Sequence, residues 1–254
     1  MEQLREGTIT RMFHLKQEPC FVHVPNKPNG FAILYLGDQG QRVDEDHTFW
    51  WENPNRKEIL RGLLDQGYVL FTSRLFMDHW GNDRSIELLD HLYHKVVRTE
   101  IINSRIHVLA EGMGALAALK WGSKSNQYIR SFVFLSPCID LNEYYKKESE
   151  NRVGKQRIRK QIAKAYNMEK EDLDEIEKQE ETIFEDYNEW ISTIPSILFQ
   201  DPKDGSYPVE SHGRKWESKL QEEDTAVIIK FIFKEDYHTL PQKMKEFLRE
   251  WEKD

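Results

Sequence analysis

The sequence predicts an α/β fold built on a mostly parallel sheet. Three observations carry this. Short runs rich in β-branched and aromatic residues recur along the chain, helical patterns separate them, and glycine, proline and asparagine mark the junctions. Strands alternating with helices imply crossover connections, which cover both faces of a parallel sheet.

The elements follow in order. "CFVHV" (20–24) and "FAILYL" (31–36) read as strands, and "PNKPNG" between them suits a turn. That pair predicts an antiparallel start. "NRKEILRGLLDQG" (55–67) predicts a helix with Ile59, Leu60, Leu63 and Leu64 on one face and Gly67 at its end. "YVLFTS" (68–73) is the next strand. "SIELLDHLYHKVV" (85–97) is an amphipathic helix with Ile86, Leu89 and Tyr93 together. "RIHVLA" (105–110) and "IRSFVFLS" (129–136) are strands flanking the helical "MGALAALKWG" (113–122).

The composition then shifts. Residues 141 to about 192 are dense in Lys, Glu, Asp and Arg, and read as solvated helices. The alternation resumes with "PSILFQD" (195–201), a helical "PVESHGRKWESKLQ" (208–221), "TAVIIKFIF" (225–233) and a final helix from Leu240. The charged block is therefore an insertion at 141–192 within a single domain spanning 1–254.

Composition sets the function classes. The formal charge is −8, which gives no electrostatic case for nucleic acid or an anionic membrane. Cys20 and Cys138 match no zinc or redox spacing and read as buried thiols. No apolar run is long enough to span a bilayer, and the N-terminal stretch has no signal-peptide core. The expected location is the cytoplasm. The sequence leaves the oligomeric state open.

In open α/β sheets ligands bind beyond the carboxyl ends of the strands. After 105–110 stands Ala110-Glu111-Gly112-Met113-Gly114. This turn resembles the nucleophile elbow of the α/β-hydrolase family, a nucleophile held at positive φ between small residues. Gly112 falls on the nucleophile position and has no side chain. The turn lacks the GxGxxG order and the GK[ST] ending, which argues against a phosphate loop, and no cofactor is expected.

The resemblance runs from about residue 20 to the end of the chain. "FAILYLGDQG" is similar to the family's third strand and oxyanion loop, with Leu36 where histidine is common. It implies an oxyanion hole made by the backbone N–H groups of Asp38 and Met113. It also implies Asp204, in "DPKDGSYPV", as the triad acid and His238, in "KEDYHTL", as the triad histidine. Taken singly, Asp204 is a good turn former and His238 an ordinary surface residue. The charged block implies a helical cap over the site.

With glycine at 112 no covalent acyl-enzyme can form there. Glu111 is a poor substitute, because the residue before the nucleophile usually points elsewhere. Three readings compete. One is a non-catalytic or weakly active pseudo-hydrolase that binds a small molecule or partner beneath the cap. Another is an acyl-ester hydrolase whose serine was exchanged. The third is a metal- or water-dependent hydrolase with His238 as general base. Asp44, Asp46, His47, Asp78, His79 and Asp83 follow strands near the same sheet edge, but no pair has strong ligand spacing, so no metal site is assigned. Phe49, Trp50, Trp51 and Trp80 accompany these loops as pocket lining or core.

Overall fold

A computed structural model of the chain describes residues 6–169, 171–174, 193–222 and 225–253. Eight strands form one sheet in the order β1-β2-β4-β3-β5-β6-β7-β8. They are β1 (Ile9–Leu15), β2 (Glu18–Val24), β3 (Ala32–Leu36), β4 (Val69–Ser73), β5 (Ile106–Glu111), β6 (Ile129–Leu135), β7 (Ser196–Gln200) and β8 (Val227–Phe231). β2 runs antiparallel to both β1 and β4, and the other pairs are parallel.

The antiparallel start is present, but its hairpin is not the one expected. β2 pairs with β1 and β4, and β3 sits between β4 and β5. "PNKPNG" therefore links two strands that do not touch. The hairpin turn is Lys16-Gln17, with φ of 50° and 68°. A two-residue hairpin of this kind needs positive φ at both centres, usually supplied by Asn-Gly. Lys-Gln carries no such signal, and β1 alternates between half-buried and exposed residues.

The sheet is buried on both faces. Leu34, Leu36, Val108, Ala110, Phe132 and Phe134 point into one core cluster, and their neighbours Ile33, Tyr35, Leu109, Val133 and Leu135 into the other. The period of two follows from the pleat. The first cluster is closed by α3 (Asp83–Thr99), α4 (Gly114–Ser125) and α7 (Gly213–Glu222). The second is closed by α1 (Phe49–Glu52), α2 (Pro54–Asp65) and α8 (Leu240–Glu250). Ile59, Leu60, Leu63 and Leu64 bury the predicted face of α2. Its N-terminus is fixed by Pro54 and by the Asn53 carboxamide, which accepts the Asn55 and Arg56 N–H groups.

The charged block begins as α5 (Leu141–Glu148) and α6 (Arg152–Tyr166). α6 was expected to be solvated, yet Gly154, Ile158 and Ile162 form a buried stripe. Four-residue spacing keeps them on one face. They join a third cluster with Trp80, Met113, Leu116, Cys138, Tyr144 and Tyr207. The second charged stretch falls mostly outside the described residues. The helix expected from 208 begins at Gly213. Among the described residues no helix is long and apolar enough to cross a membrane.

The strand order places the site. From β3 the chain steps one way to β4, and from β5 onward it builds the other way. The reversal lies between β3 and β5, where ligands bind in such sheets. The loop after β3 and the turn after β5 meet there.

Candidate active site at the carboxyl end of the sheet

Gly112 turns the chain from β5 into α4 with φ of 49°. Glycine takes this conformation without the steric cost a Cβ adds. The turn is anchored to β6. The Gly112 N–H donates to the Leu135 carbonyl at 3.1 Å, and the Gly112 carbonyl accepts the Cys138 N–H at 2.9 Å. Gly114 is required for a different reason: a Cβ there would stand 2.7 Å from the Gly37 carbonyl oxygen and 2.9 Å from that of Leu36. The small residue lets α4 start against the end of β3.

The space above Gly112 is filled by Asp38. A Cβ on residue 112 would lie 2.1 Å from both Cγ and Oδ1 of Asp38. Asp38 Oδ1 accepts the Met113 N–H at 2.7 Å, the Gln39 N–H at 2.7 Å and the Tyr207 hydroxyl at 2.8 Å. The Gln39 side chain donates to the Tyr144 hydroxyl at 2.7 Å and to the Tyr207 hydroxyl at 3.3 Å. The expected oxyanion hole is thus revised. Gly112, Met113 and Asp38 do come together, but the Met113 N–H is already taken by the carboxylate of Asp38.

Asp38 also caps α4. Met113 offers the helix no side-chain cap of its own, and a carboxylate at a helix N-terminus is favoured by the exposed N–H groups and the dipole. Desolvation nevertheless outweighs these bonds. Burial, with a smaller contribution from nearby Glu111, pushes the Asp38 carboxyl up to about 7. Among the described residues no cationic side chain forms an ion pair with it.

Glu111 points the other way, as its place before the nucleophile position suggests. It forms a two-pronged ion pair with Arg56 and accepts the Gln41 amide at 2.9 Å. Arg56 in turn stacks 4.7 Å from the centre of the Tyr237 ring. Gln41 accepts the Trp50 indole N–H at 2.8 Å. This network ties the elbow to α2 and to the turn that carries His238.

Asp204 and His238 do not meet. Asp204 Oδ1 accepts the N–H groups of Ser206 and Tyr207 at 2.8 and 3.1 Å, a local turn. His238 is exposed in the 3₁₀ turn Lys234–Thr239, and its Nδ1–H donates to the Glu235 carbonyl at 3.0 Å. No hydrogen bond or ion pair joins the two among the described residues. Asp204 instead fixes Tyr207, whose hydroxyl reaches Asp38.

The remaining candidates have structural partners. Asp78 accepts the Gly40 N–H and the Gln161 amide, and Asp83 pairs with Lys120 and Lys124. His79 accepts the Gly81 N–H at 3.0 Å. Asp44, Asp46 and His47 line a cleft of about 370 Å³ beside His14 and Arg74, to which no elbow residue contributes. Among the described residues no group of three His, Cys, Asp or Glu gathers as metal ligands would. Trp50, Trp51 and Trp80 are core residues. Cys138 is buried, and burial pushes its thiol well up, so it offers no thiolate.

The sequence reading missed Tyr207, Tyr144 and His212. His212 is fully buried, and its Nδ1 accepts the N–H groups of Ile139 and Asp140 at 3.2 and 3.3 Å. Burial lowers it to about 4, so the ring is neutral with its proton on Nε2. Tyr207 stood three residues from Asp204 within the motif already singled out. The side chain of Asp38 was overlooked because only its backbone was assigned a role.

No protein-family profile matches the sequence, and no curated protein matches it. Solved structures do match. Est1E from Butyrivibrio proteoclasticus superposes with a TM-score of 0.63 at 12% identity, covering 98% of this chain and 100% of that one. The Pyrococcus furiosus esterase Pf2001 gives 0.65 at 15% identity, covering 96% and 92%. An acylaminoacyl peptidase of Pyrococcus horikoshii gives 0.65 at 10% identity, covering 96% of this chain and 41% of that one. At these identities the likeness concerns the fold.

Proposed function

With the α/β-hydrolase fold as premise, we propose that this chain is a non-catalytic or weakly active hydrolase-like protein that binds a small molecule or partner. One observation carries the reading. The nucleophile position is a glycine, and the carboxylate of Asp38 stands where that side chain would begin. It also takes the N–H that would stabilise a developing oxyanion. A site with no attacking group, and with one of its two expected oxyanion donors already engaged, is poorly equipped for acyl transfer.

The alternative readings find less support. A serine at 112 would need Asp38 to be elsewhere, so exchange of one residue alone does not describe this site. Water activation by His238 requires a base close to the site, whereas His238 is exposed and bonded to its own turn. The block after β6 serves as a cap in this reading. α6 holds the loops beside the site, with Asn82 donating to the Ala165 carbonyl and the Tyr166 hydroxyl to that of Trp80.

The test is hydrolysis of p-nitrophenyl esters of several chain lengths. Turnover no faster than a His238→Ala control is expected. Robust turnover by the unaltered protein, lost on His238→Ala, would overturn the reading.

A further inference from the structure

The sheet ends in two edges, β1 and β8, and they are built differently. β1 carries Arg11 and His14, with Lys16 at its end. Arg11 pairs with Glu100 and Lys16 with Glu87, which ties this edge to α3. Ile9 and Met12 are exposed there, but they stand among these charges. Charged side chains of this kind discourage a further strand. β8 and its extension read Val-Ile-Ile-Lys-Phe-Ile-Phe (227–233), with Lys230 as the single charge. Phe231, Phe233 and Ile228 are 48%, 42% and 38% exposed. Among the described residues no strand lies beyond β8.

The backbone shows which groups this edge offers. The Ser196 N–H donates to the Ala226 carbonyl at 2.9 Å, and the Ile232 N–H to the Gln200 carbonyl at 3.0 Å. The even-numbered residues therefore turn their N–H and C=O toward β7. Val227, Ile229 and Phe231 turn theirs to the open side. The same three residues lie opposite Ser196, Leu198 and Gln200, so their side chains share one face of the sheet. Phe233, extended at φ −94° and ψ 156°, continues that face. An antiparallel strand related by a two-fold axis would meet a matching row of donors and acceptors. Centred on Lys230 it would set two ammonium groups directly opposite, which is unfavourable. Centred on Phe231 it sets Phe231 against its own copy and Ile229 against Phe233, and Lys230 is displaced from its copy.

We propose that β8 is the contact surface for a second copy of this chain, paired antiparallel across a two-fold axis at Phe231 to give one continuous sheet of sixteen strands. Self-complementary two-fold contacts of this kind are the commonest in homo-oligomers. The area sets the strength. With about 200 Å² for a fully exposed phenylalanine, the three exposed side chains offer roughly 250 Å² of apolar surface per copy. Together with two five-residue backbone edges, the contact comes to about 800–1,000 Å² over both copies, at the weak end of specific interfaces. The dimer is therefore one that assembles at micromolar concentrations. This inference is independent of what occupies the site above Gly112.

Light scattering behind size exclusion, with the full chain at about 1 to 300 μM, tests the inference. The mass is expected to rise from one copy toward two across this range. Phe231→Lys sets like charges opposite each other at the axis and should weaken association at least about tenfold. A second variant keeps the test independent of how well that one folds. Phe231→Cys brings two thiols to the axis, where paired α-carbons stand about 5.5 Å apart, within reach of a disulfide. Under mild oxidation it should give a covalent dimer on a non-reducing gel. Ile101→Cys, 97% exposed and outside β8, should not. The native Cys20 and Cys138 are buried and do not compete. A single-copy mass throughout overturns the inference, whether another stretch of this chain or a different protein covers the edge. So does a dimer unchanged by Phe231→Lys, an assembly larger than two, or cross-linking of Ile101→Cys as fast as that of Phe231→Cys.

Discussion

The carboxylate of Asp38 and the bare α-carbon of Gly112 share one space: a β-carbon at 112 would lie 2.1 Å from Asp38 Cγ. The two residues form a coupled pair. Gly112→Ser alone meets a steric clash as well as a positive φ of 49°. Strain of about 1 kcal/mol and overpacking of about 1–3 kcal/mol should destabilise it by roughly 2–4 kcal/mol. Asp38→Ala removes Cγ and both oxygens, so the double variant should recover the overpacking part. A double-mutant cycle by denaturant unfolding should give a favourable coupling of about 1–3 kcal/mol. Additive effects would show that the two side chains do not compete.

Asp38 also makes stability depend on pH. Its carboxyl rises from 3.8 to about 7 in the folded chain. Between those values the native state keeps a proton that the unfolded chain has lost. Stability then falls as pH rises, and the loss is complete above about 7. Asp38→Asn removes this dependence. Relative to the unaltered protein, the variant should gain roughly 2–4 kcal/mol between about pH 4 and pH 8, the range allowing for partial solvent screening. Denaturant titrations at several pH values read the change directly. Glu111, Cys138, Tyr144 and Tyr207 face the same carboxyl, and Glu111 keeps its Arg56 partner in both proteins. A difference that stays flat with pH would contradict the raised carboxyl.

What the sequence revealed, and what it hid, follows from where each residue lies. β3 to β7 were legible because their residues are buried on both faces and so form near-continuous apolar runs. β1 was not, because it is an edge strand with a mixed face and its turn uses Lys16 and Gln17 rather than asparagine and glycine. The elbow was legible from the small residues at 110, 112 and 114, of which Gly114 is demanded by the backbone of Leu36 and Gly37. The stripe Gly154, Ile158, Ile162 was masked by the lysines and arginines between its members. Asp38 could be placed by its backbone, but the destination of its side chain depends on a void that only glycine at 112 creates. Such non-local compensation has no signature in a single stretch of sequence.

The ion pair beneath the elbow offers an independent test of its construction. Arg56 and Glu111 are only 13% and 10% exposed at their side chains. Arg56→Met leaves a buried carboxylate with the Gln41 amide alone, and should cost about 3–5 kcal/mol. The double variant Arg56→Met, Glu111→Met removes both charges at similar volume, and should regain most of that loss. Thermal and denaturant unfolding of the set will separate the two cases. If the double variant is as unstable as the single one, the pair contributes more than mutual neutralisation.

The positions that the family resemblance assigns to acid and histidine make a last prediction. In a working dyad the acid orients the imidazole, so removing either residue changes what the other contributes. Here Asp204 holds the turn at Ser206 and Tyr207, while among the described residues His238 bonds only to Glu235. Asp204→Ala should therefore cost about 1 kcal/mol by freeing two N–H groups, and should loosen the Tyr207 hydroxyl on Asp38. His238→Ala, at an exposed site, should stay within about 0.5 kcal/mol. The two effects should add, since no contact links the residues. Tyr207→Phe should couple to Asp38→Asn instead, because the hydroxyl of one donates to the carboxylate of the other. Coupling between Asp204 and His238 above about 0.5 kcal/mol would mean that the two residues pair in solution, and none between Tyr207 and Asp38 would mean that their hydrogen bond contributes nothing to the fold.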